Sequence, residues 1–388
     1  MLAGCVLALV ACARQEPGAT DPKAPAAKAA AAGYETELNI LAWPGAAERG
    51  GIDPRVDWVT PFEAETGCRV NVTVAGVASE MISVLAAGGQ DLVTASGDIA
   101  LELVRSGLVE VVDVTRIAGY ATLDDRLERA PWLYVDGKHY GVAFLWGPNV
   151  LLYDTRVFPT APASWSVIFE PQMLPDGKPN QGRVQGYDSP IYLADAALYL
   201  KTRRPELGID DPYRLDDAQR KAALAVLEAN RRLAHSLWDD ANSQIQAFTR
   251  DGIVASASRA FQANTLIANR APVASTIPAE GATGWSWNTL VAANVAHPKC
   301  AYRWLEWSLT KKVQGDAAAF NGANPAVPEA CRGSSKLDCV KNGFDSFDRL
   351  HFWRTPEAQC PSQGPDRVID CALYESWSLE FARLPDTP

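Results

Sequence analysis

The sequence predicts an α/β fold of two lobes joined by crossing strands, a clamshell that closes by hinge motion. Two observations predict the lobes: from residue 38, strand-like apolar runs alternate with helical patterns as βαβαβ, and a weaker α/β alternation covers residues 154–275. A third observation predicts the crossing strands, because a short apolar run at 290–294 returns the chain from the second unit. Strands that alternate with helices form parallel or mixed sheets with helices on their faces.

The first unit contains three strands and three helices. Strands are predicted at residues 38–43, 70–74 and 91–94, and helices at residues 56–66, 80–87 and 99–106. Gly67 and Gly107 are placed to end the first and third helices, and Ser79 to cap the second. Ligands of such sheets bind beyond the carboxyl ends of the strands, which places Trp43 and Asp98 near the expected site.

The second unit is indicated by two helix starts. Ser189 and Pro190 are predicted as the N-cap and first residue of a helix that runs to residue 200. Asp216 and Gln219 have the spacing of a capping box. The helix that follows is predicted to carry four leucines, Leu224, Leu227, Leu233 and Leu237.

The composition excludes several classes of partner. The 388 residues include 36 Lys and Arg against 46 Asp and Glu, so the net charge is −10 and no nucleic-acid partner is expected. There is no P-loop, no G-x-G-x-x-G and no H-E-x-x-H, and no Cys or His pair has metal-ligand spacing, so no cofactor or metal is expected. Twelve Trp instead favour an aromatic binding surface.

The N-terminus predicts export and lipid anchoring. Residues 1–11 read as an apolar signal peptide, and the sequence Leu-Val-Ala-Cys that ends at Cys12 is typical of a bacterial lipobox. Residues 12–37 are expected to form a tether, because residues 13–33 contain nine Ala and three Pro and few large apolar groups. We therefore expect a lipid-anchored protein in the periplasm or at the outer face of a bacterial membrane.

The cysteines agree with an oxidising compartment. Eight are present, and removal of Cys5 with the signal peptide and lipidation of Cys12 leave six. Six cysteines allow 15 pairings. We expect Cys360 to pair with Cys371, which lies nearby in a loop, and Cys300 to pair with Cys331.

Six segments resemble extracellular solute-binding proteins of ABC transporters, of the spermidine/putrescine-binding type and its γ-aminobutyrate-binding relatives. They are, in chain order, DWVTPFEAETGCRVNV, DLVTASGD, GYDSPIYLADAALYL, EGATGWS, HPKCAYRWLEW and FWRTPEAQC. The resemblance implies a monomeric type II periplasmic binding protein that hands a small molecule to a membrane permease and performs no catalysis. It implies a first lobe at residues 38–150, a second at 151–280, and a return to the first at 281–388.

The same resemblance nominates ligand-binding residues. Trp43 matches an aromatic wall over the ligand, and Trp285 matches a stacking tryptophan. Asp188 matches an acid that pairs with an ammonium group, although it also precedes a helix that it could cap. Asp98 is open to two interpretations, a ligand contact or a helix N-cap. Asn149 and Gln262 are aligned with hydrogen-bonding positions.

The chain also departs from the family pattern. Trp287 stands where relatives usually carry Asp, and Arg259 stands where they commonly carry Trp. Trp146 belongs to an apolar stretch that replaces a more polar one, and Phe261 adds a further aromatic ring. Because a buried ammonium needs carboxylate partners, these changes favour a zwitterionic or lipid-like amphiphile, such as an amino acid, a betaine or a sterol, over a polyamine. Arg259 itself is open to two interpretations, a carboxylate clamp or an ordinary ion pair.

Two rival classes are weighed against this one. An exported hydrolase is suggested by the sequence Gly-Trp-Ser-Trp-Asn at residues 284–288, which approaches a nucleophile elbow but lacks its final Gly. Too little chain follows it for the acid and His of such enzymes. The other rival is a sensing or scaffold lipoprotein that serves no permease, and a polyamine remains the alternative ligand.

Overall fold

The fold is taken from a computed structural model, which describes residues 35–51, 53–332, 337–356, 359–360, 369–370 and 374–387. The predicted signal peptide, Cys12 and most of the tether lie outside the described residues, as does Cys371, so its pairing with Cys360 stays a prediction. No helix in the described part of the chain is both long and apolar enough to span a membrane.

The elements alternate largely as the hydrophobic pattern predicts. The strands are β1 (Glu37–Ala42), β2 (Arg69–Val74), β3 (Leu92–Ser96), β4 (Tyr134–Val135), β5 (Lys138–His139), β6 (Gly141–Asp154), β7 (Val184–Tyr187), β8 (Ser236–Trp238), β9 (Ala255–Arg259), β10 (Val273–Thr276), β11 (Ala282–Val291), β12 (Asn324–Pro325), β13 (Leu350–Phe352), β14 (Gln359–Cys360) and β15 (Ile369–Asp370). The helices are α1 (Val59–Thr66), α2 (Ala78–Ala87), α3 (Gly97–Arg105), α4 (Asp125–Glu128), α5 (Ser166–Phe169), α6 (Tyr192–Arg203), α7 (Asp217–Leu233), α8 (Ala241–Arg250), α9 (Ala260–Ala268), α10 (Pro298–Ser308), α11 (Lys311–Asn321) and α12 (Tyr374–Phe381).

Two long strands, β6 and β11, join the lobes. The sheet order is β2-β1-β3-β11-β6-β9-β7-β8, so the first three strands form lobe 1 and the last three form lobe 2. The first half of β6 pairs with β11, whereas its second half pairs with β9 and β10 in lobe 2. All 14 residues of β6 are buried, as expected for a central strand covered on both faces.

Helix ends confirm some of the predicted signals. Gly67 ends α1 in the left-handed conformation, with φ of 73°, and donates its N–H to Glu63. Asp216 and Gln219 form the predicted capping box of α7, in which each side chain accepts from the other residue's backbone N–H.

Other predicted helix ends are wrong. Ser79 lies inside α2, which begins one residue earlier. The helix after Pro190 starts at Tyr192, so Ser189 precedes its N-cap. Leu237 belongs to β8, because α7 ends at Leu233. Asp98 is not an N-cap either: Ser96 holds that position in α3, and Asp98 lies in the first turn.

The disulfide prediction for Cys300 is wrong. Cys300, on α10, is bonded to Cys68, and Cys331 is bonded to Cys339 eight residues away. The cause is helix packing in lobe 1, where Phe62 on α1 contacts Trp304 on α10 with ring centroids 5.0 Å apart. This contact brings Cys68, two residues after the end of α1, beside Cys300 on α10.

The C-terminal region reaches both lobes. Helices α10 and α11 pack in lobe 1. Helix α12, however, lies against α7 of lobe 2, where Arg220 forms an ion pair with Glu380 and the Arg231 guanidinium stacks on Phe381. Residues 350–355, which we name the strap, run between these two regions.

Candidate functional site

Three segments meet where β6 and β11 cross between the lobes: the start of α3, the end of β9 and the middle of β11. Trp287 on β11 pairs with Ser96 at the end of β3, and Trp285 pairs with Gly147 on β6. Two residues further along β6, Asn149 pairs with Arg259 at the end of β9. The side chains that gather here are named the Arg259 cluster, which comprises Asp98, Tyr187, Arg259, Trp285 and Trp353.

Arg259 lies at the centre of this cluster. Its guanidinium carbon is 5.7 Å from the ring centroid of Trp285 and 5.5 Å from that of Trp353, within the range of cation–π attraction. Burial lowers the pKa of Arg259, while the nearby Tyr187 and Asp98 oppose that shift. Among the described residues Arg259 has no ion-pair partner, and its Nε is sealed from solvent without a hydrogen-bond acceptor.

Indole groups also present donors. The Nε1 atoms of Trp285 and Trp353 in the cluster, and of Trp43 at the end of β1, are each buried without an acceptor in the described part of the chain. Helices α3 and α9 begin at this place, and neither receives a hydrogen bond from a side chain at its N-cap position. Buried donors that lack partners are rare in folded proteins, and helix N-termini favour negative charge. The arrangement is therefore suited to a ligand that accepts hydrogen bonds.

The position of Trp285 depends on the strand geometry. Side chains alternate along β11, so Trp285 and Trp287 share a face, with ring centroids 5.5 Å apart. A Cβ atom at Gly147 would lie 2.9 Å from the Trp285 ring, so the glycine makes room for the indole. Trp287, unlike Trp285, is partly exposed.

Several nominated residues lie outside the Arg259 cluster. Trp146 is fully buried, donates from Nε1 to the Pro325 carbonyl at 3.2 Å and packs on core phenylalanines. Asp188 has an exposed side chain that lies 3.6 Å from Arg231 on α7. Phe261, in the first turn of α9, is 37% exposed and lies against Gly322, and the buried Gln262 follows it.

A buried polar network behind the cluster was missed by the sequence reasoning. Asn149 donates to Thr283 at 2.6 Å, Thr283 donates to Asp195 at 2.8 Å, and Tyr187 donates to the other Asp195 oxygen. Burial raises the pKa of Asp195 to about 7, against the opposing effect of these hydrogen bonds. The signal was an acid within a run of apolar helix residues, because unpaired acids are rarely buried.

Two further features bear on what the site can hold. A cavity of about 320 Å³ lies between the lobes, beside the strap, and is lined by Pro131, Trp132, Asp210, Asp211, Tyr213, His351, Phe352 and Arg354. It includes none of the nominated residues. Within the described residues, no group of three or more His, Cys, Asp or Glu side chains is placed to hold a metal ion.

Comparison with known proteins agrees with this architecture. A family model described as bacterial extracellular solute-binding protein matches residues 57–336. The chain is 23% identical over 292 residues to the putrescine/agmatine-binding protein of Pseudomonas aeruginosa, a match that covers 70% of this chain and 77% of that protein.

Two solved structures share the fold at low identity. The spermidine/putrescine ABC transporter substrate-binding protein of Streptococcus pneumoniae matches with a TM-score of 0.66 and 14% identity, over 90% of this chain and 97% of that one. A GABA receptor matches with a TM-score of 0.64 and 17% identity, over 81% of this chain and 91% of that one. The predicted two-lobed fold is therefore confirmed.

Proposed function

Because the chain belongs to the bacterial extracellular solute-binding protein family, we propose that it captures a small molecule between its lobes and delivers it, chemically unchanged, to an ABC permease. The ligand is a zwitterion or amphiphile with a carboxylate and an apolar body, and not a polyamine. The ligand lies against Arg259, Trp285 and Trp353, with Trp43 and Asp98 nearby.

The observation that carries this proposal is the environment of Arg259. Arg259 is only partly exposed and has no ion-pair partner among the described residues, which is unfavourable for a cation, and a ligand carboxylate supplies the missing partner with two oxygens that match the guanidinium fork. An ammonium group at the same place meets a like charge, which raises the free energy of the complex. The indole N–H groups without partners are hydrogen-bond donors. The ammonium groups of a polyamine are also donors only, so these indoles offer them no acceptor.

The charges of the nominated residues support the same ligand class. Arg259 brings a positive charge that favours a ligand carboxylate and disfavours an ammonium. A diamine carries two positive charges and needs two carboxylates. Asp188, one of the nominated acids, already faces Arg231, and Trp287 stands where the resemblance implies an acid.

The names of relatives support the class of function and leave the polyamine as the alternative ligand. The Pseudomonas aeruginosa relative is named for putrescine and agmatine, and a structural neighbour is named for GABA, a zwitterion. The features that distinguish the alternatives are therefore the residues of the Arg259 cluster in this chain.

Location and anchoring complete the proposal. Export follows from the extracellular family, and we propose that a lipid on Cys12 holds the protein at a bacterial membrane, with the tether leading to the folded lobes. The protein acts as a monomer.

The test is to purify the native protein, denature it and identify the released small molecule by mass spectrometry. We expect a molecule that contains a carboxylate, and we expect Arg259→Gln to abolish its recovery. The matched control is Arg203→Gln, which removes an exposed arginine that pairs with the partly exposed Glu170 of lobe 2. Recovery of spermidine or putrescine contradicts the ligand proposal, and ester hydrolysis by the purified protein contradicts the function.

A further inference from the structure

The strap touches both lobes beside the Arg259 cluster. Between the lobes, β13 pairs with the start of the joining strand β11, and the Trp353 N–H donates to the Gly284 carbonyl of that strand at 2.6 Å. In lobe 1, the Thr355 hydroxyl donates to the Asp98 carbonyl. In lobe 2, the Tyr213 hydroxyl donates to the His351 carbonyl at 2.8 Å. Arg354 of the strap forms an ion pair with Asp211 of the same lobe.

We propose that the strap is a clasp of the ligand site: Trp353 contacts the bound molecule, and the strap's two polar contacts with lobe 2 hold the lobes closed over it. This inference rests on the proposed function, because it assumes that a ligand lies against Arg259. The two polar contacts are the Arg354–Asp211 ion pair and the Tyr213–His351 hydrogen bond.

Trp353 qualifies as a ligand contact by its position. It is 7% exposed, and its ring lies 5.5 Å from the Arg259 guanidinium carbon and 6.0 Å from the Tyr187 ring. Its indole Nε1 has no acceptor among the described residues. A ligand oxygen that accepts a hydrogen bond from Arg259 therefore also lies close to the Trp353 indole. The strap brings Trp353 to this place from a distant part of the sequence.

The strap is seated tightly on lobe 1. A Cβ atom at Gly97 would lie 2.2 Å from the Trp353 carbonyl oxygen, so only a glycine at the start of α3 lets the strap lie there. This close approach and the Thr355–Asp98 hydrogen bond fix the strap to lobe 1, and the pairing of β13 with β11 ties it to a strand that joins the lobes. The strap therefore moves with lobe 1 when the cleft opens.

The contact with lobe 2 is packed less closely. The 320 Å³ cavity separates strap residues His351, Phe352 and Arg354 from Asp211 and Tyr213 over part of their facing surfaces. Residues that line a cavity have no contacting atoms on that side, so they lose the dispersion attraction that close packing provides. The hold on lobe 2 therefore combines the packing of the Trp353 ring against Tyr187 and Arg259 with the two polar contacts, and opening breaks both.

Small-angle X-ray scattering of the purified protein tests the clasp without a known ligand. Arg354→Gln and Asp211→Asn are each expected to shift the ratio of closed to open molecules about 5-fold toward the open form, the scale of a half-buried ion pair, and so to enlarge the radius of gyration. Arg203→Gln, which removes an exposed arginine of lobe 2 that pairs with Glu170, is the matched control and is expected to leave the radius of gyration unchanged. A radius of gyration in both strap variants equal to that of wild type overturns the clasp.

A second measurement tests the ligand contact. Trp353→Phe keeps an apolar ring and removes the indole N–H, and we expect the amount of small molecule recovered from the native protein to fall about 10-fold. Trp377→Phe, a fully buried residue of α12, is the control for loss of a tryptophan. Equal recovery from wild type and Trp353→Phe, with equal thermal unfolding, overturns this part. If no molecule is released from wild type, the result counts against the proposed function, while the scattering experiment still decides whether the strap holds the lobes closed.

Discussion

Replacement of Asp195 by Asn tests the buried network behind the ligand site. The Asp195 carboxyl is buried on α6, where it accepts hydrogen bonds from Tyr187 and Thr283. Burial raises its pKa to about 7 from 3.8. The neighbouring Tyr187, Tyr192 and Tyr213 hydroxyls stay neutral, because burial raises their pKa values well above the usual range. Asp195 is therefore the group of this network that titrates near neutral pH.

The sign and size of the effect follow from linkage. Between the unfolded pKa near 3.8 and the folded pKa near 7, the folded protein holds a proton that the unfolded chain has lost, so stability falls as pH rises. A shift of about three units corresponds to about 4 kcal/mol, since each unit is about 1.4 kcal/mol. Asparagine stays neutral, so Asp195→Asn should be increasingly more stable than wild type as pH rises from 4 to 8, with a total change of about 4 kcal/mol.

The assay is urea unfolding followed by tryptophan fluorescence at pH 4.5, 6 and 8. The quantity compared is the difference in unfolding free energy between variant and wild type at each pH. A difference that stays constant with pH would refute the reasoning, because it would mean that the pKa of Asp195 is the same in the folded and the unfolded protein.

Three further predictions concern the ligand, the disulfides and the anchor. Arg259→Gln should weaken ligand binding about 100-fold and Arg259→Lys less so, measured by calorimetry with the recovered molecule, because lysine keeps the charge but not the planar fork; equal affinity in all three proteins would contradict the site. Replacement of both Cys68 and Cys300 by Ala should lower the unfolding free energy by about 2–5 kcal/mol, because the bond closes a loop spanning 232 residues. Unchanged denaturant midpoints would contradict this. Cys12→Ala should move the protein from the membrane to the soluble fraction, and retention in the membrane with unchanged mobility would rule out lipidation.

The regular parts of the fold were predictable because local signals specify them. The alternation of apolar residues located β1, β2 and β3, and the capping box of Asp216 and Gln219 located the start of α7. Helix starts without a capping side chain, such as those of α1 and α2, were misplaced by two or three residues. In those cases tertiary packing, and not a local hydrogen bond, determines where the helix begins.

The features that depend on distant contacts could not be predicted. Cys68 and Cys300 are 232 residues apart, and only the packing of α1 on α10 brings them together. The sequence did not predict a role for Trp353, because that role depends on contacts of the strap with Gly97 and Arg259. No local sequence pattern indicates these contacts. That Arg259 lacks an ion-pair partner among the described residues is likewise a property of the fold.

The most direct test of the central claim is calorimetry on protein that has been unfolded to remove its ligand and then refolded. The titrants are γ-aminobutyrate, a betaine, putrescine and spermidine, and the first and third differ mainly in whether one end carries a carboxylate or an ammonium. The account predicts that carboxylate-bearing zwitterions bind more tightly than putrescine, and that neither polyamine binds at micromolar concentration. Micromolar or tighter binding of spermidine, abolished by Asp188→Ala and unaffected by Arg259→Gln, would contradict it.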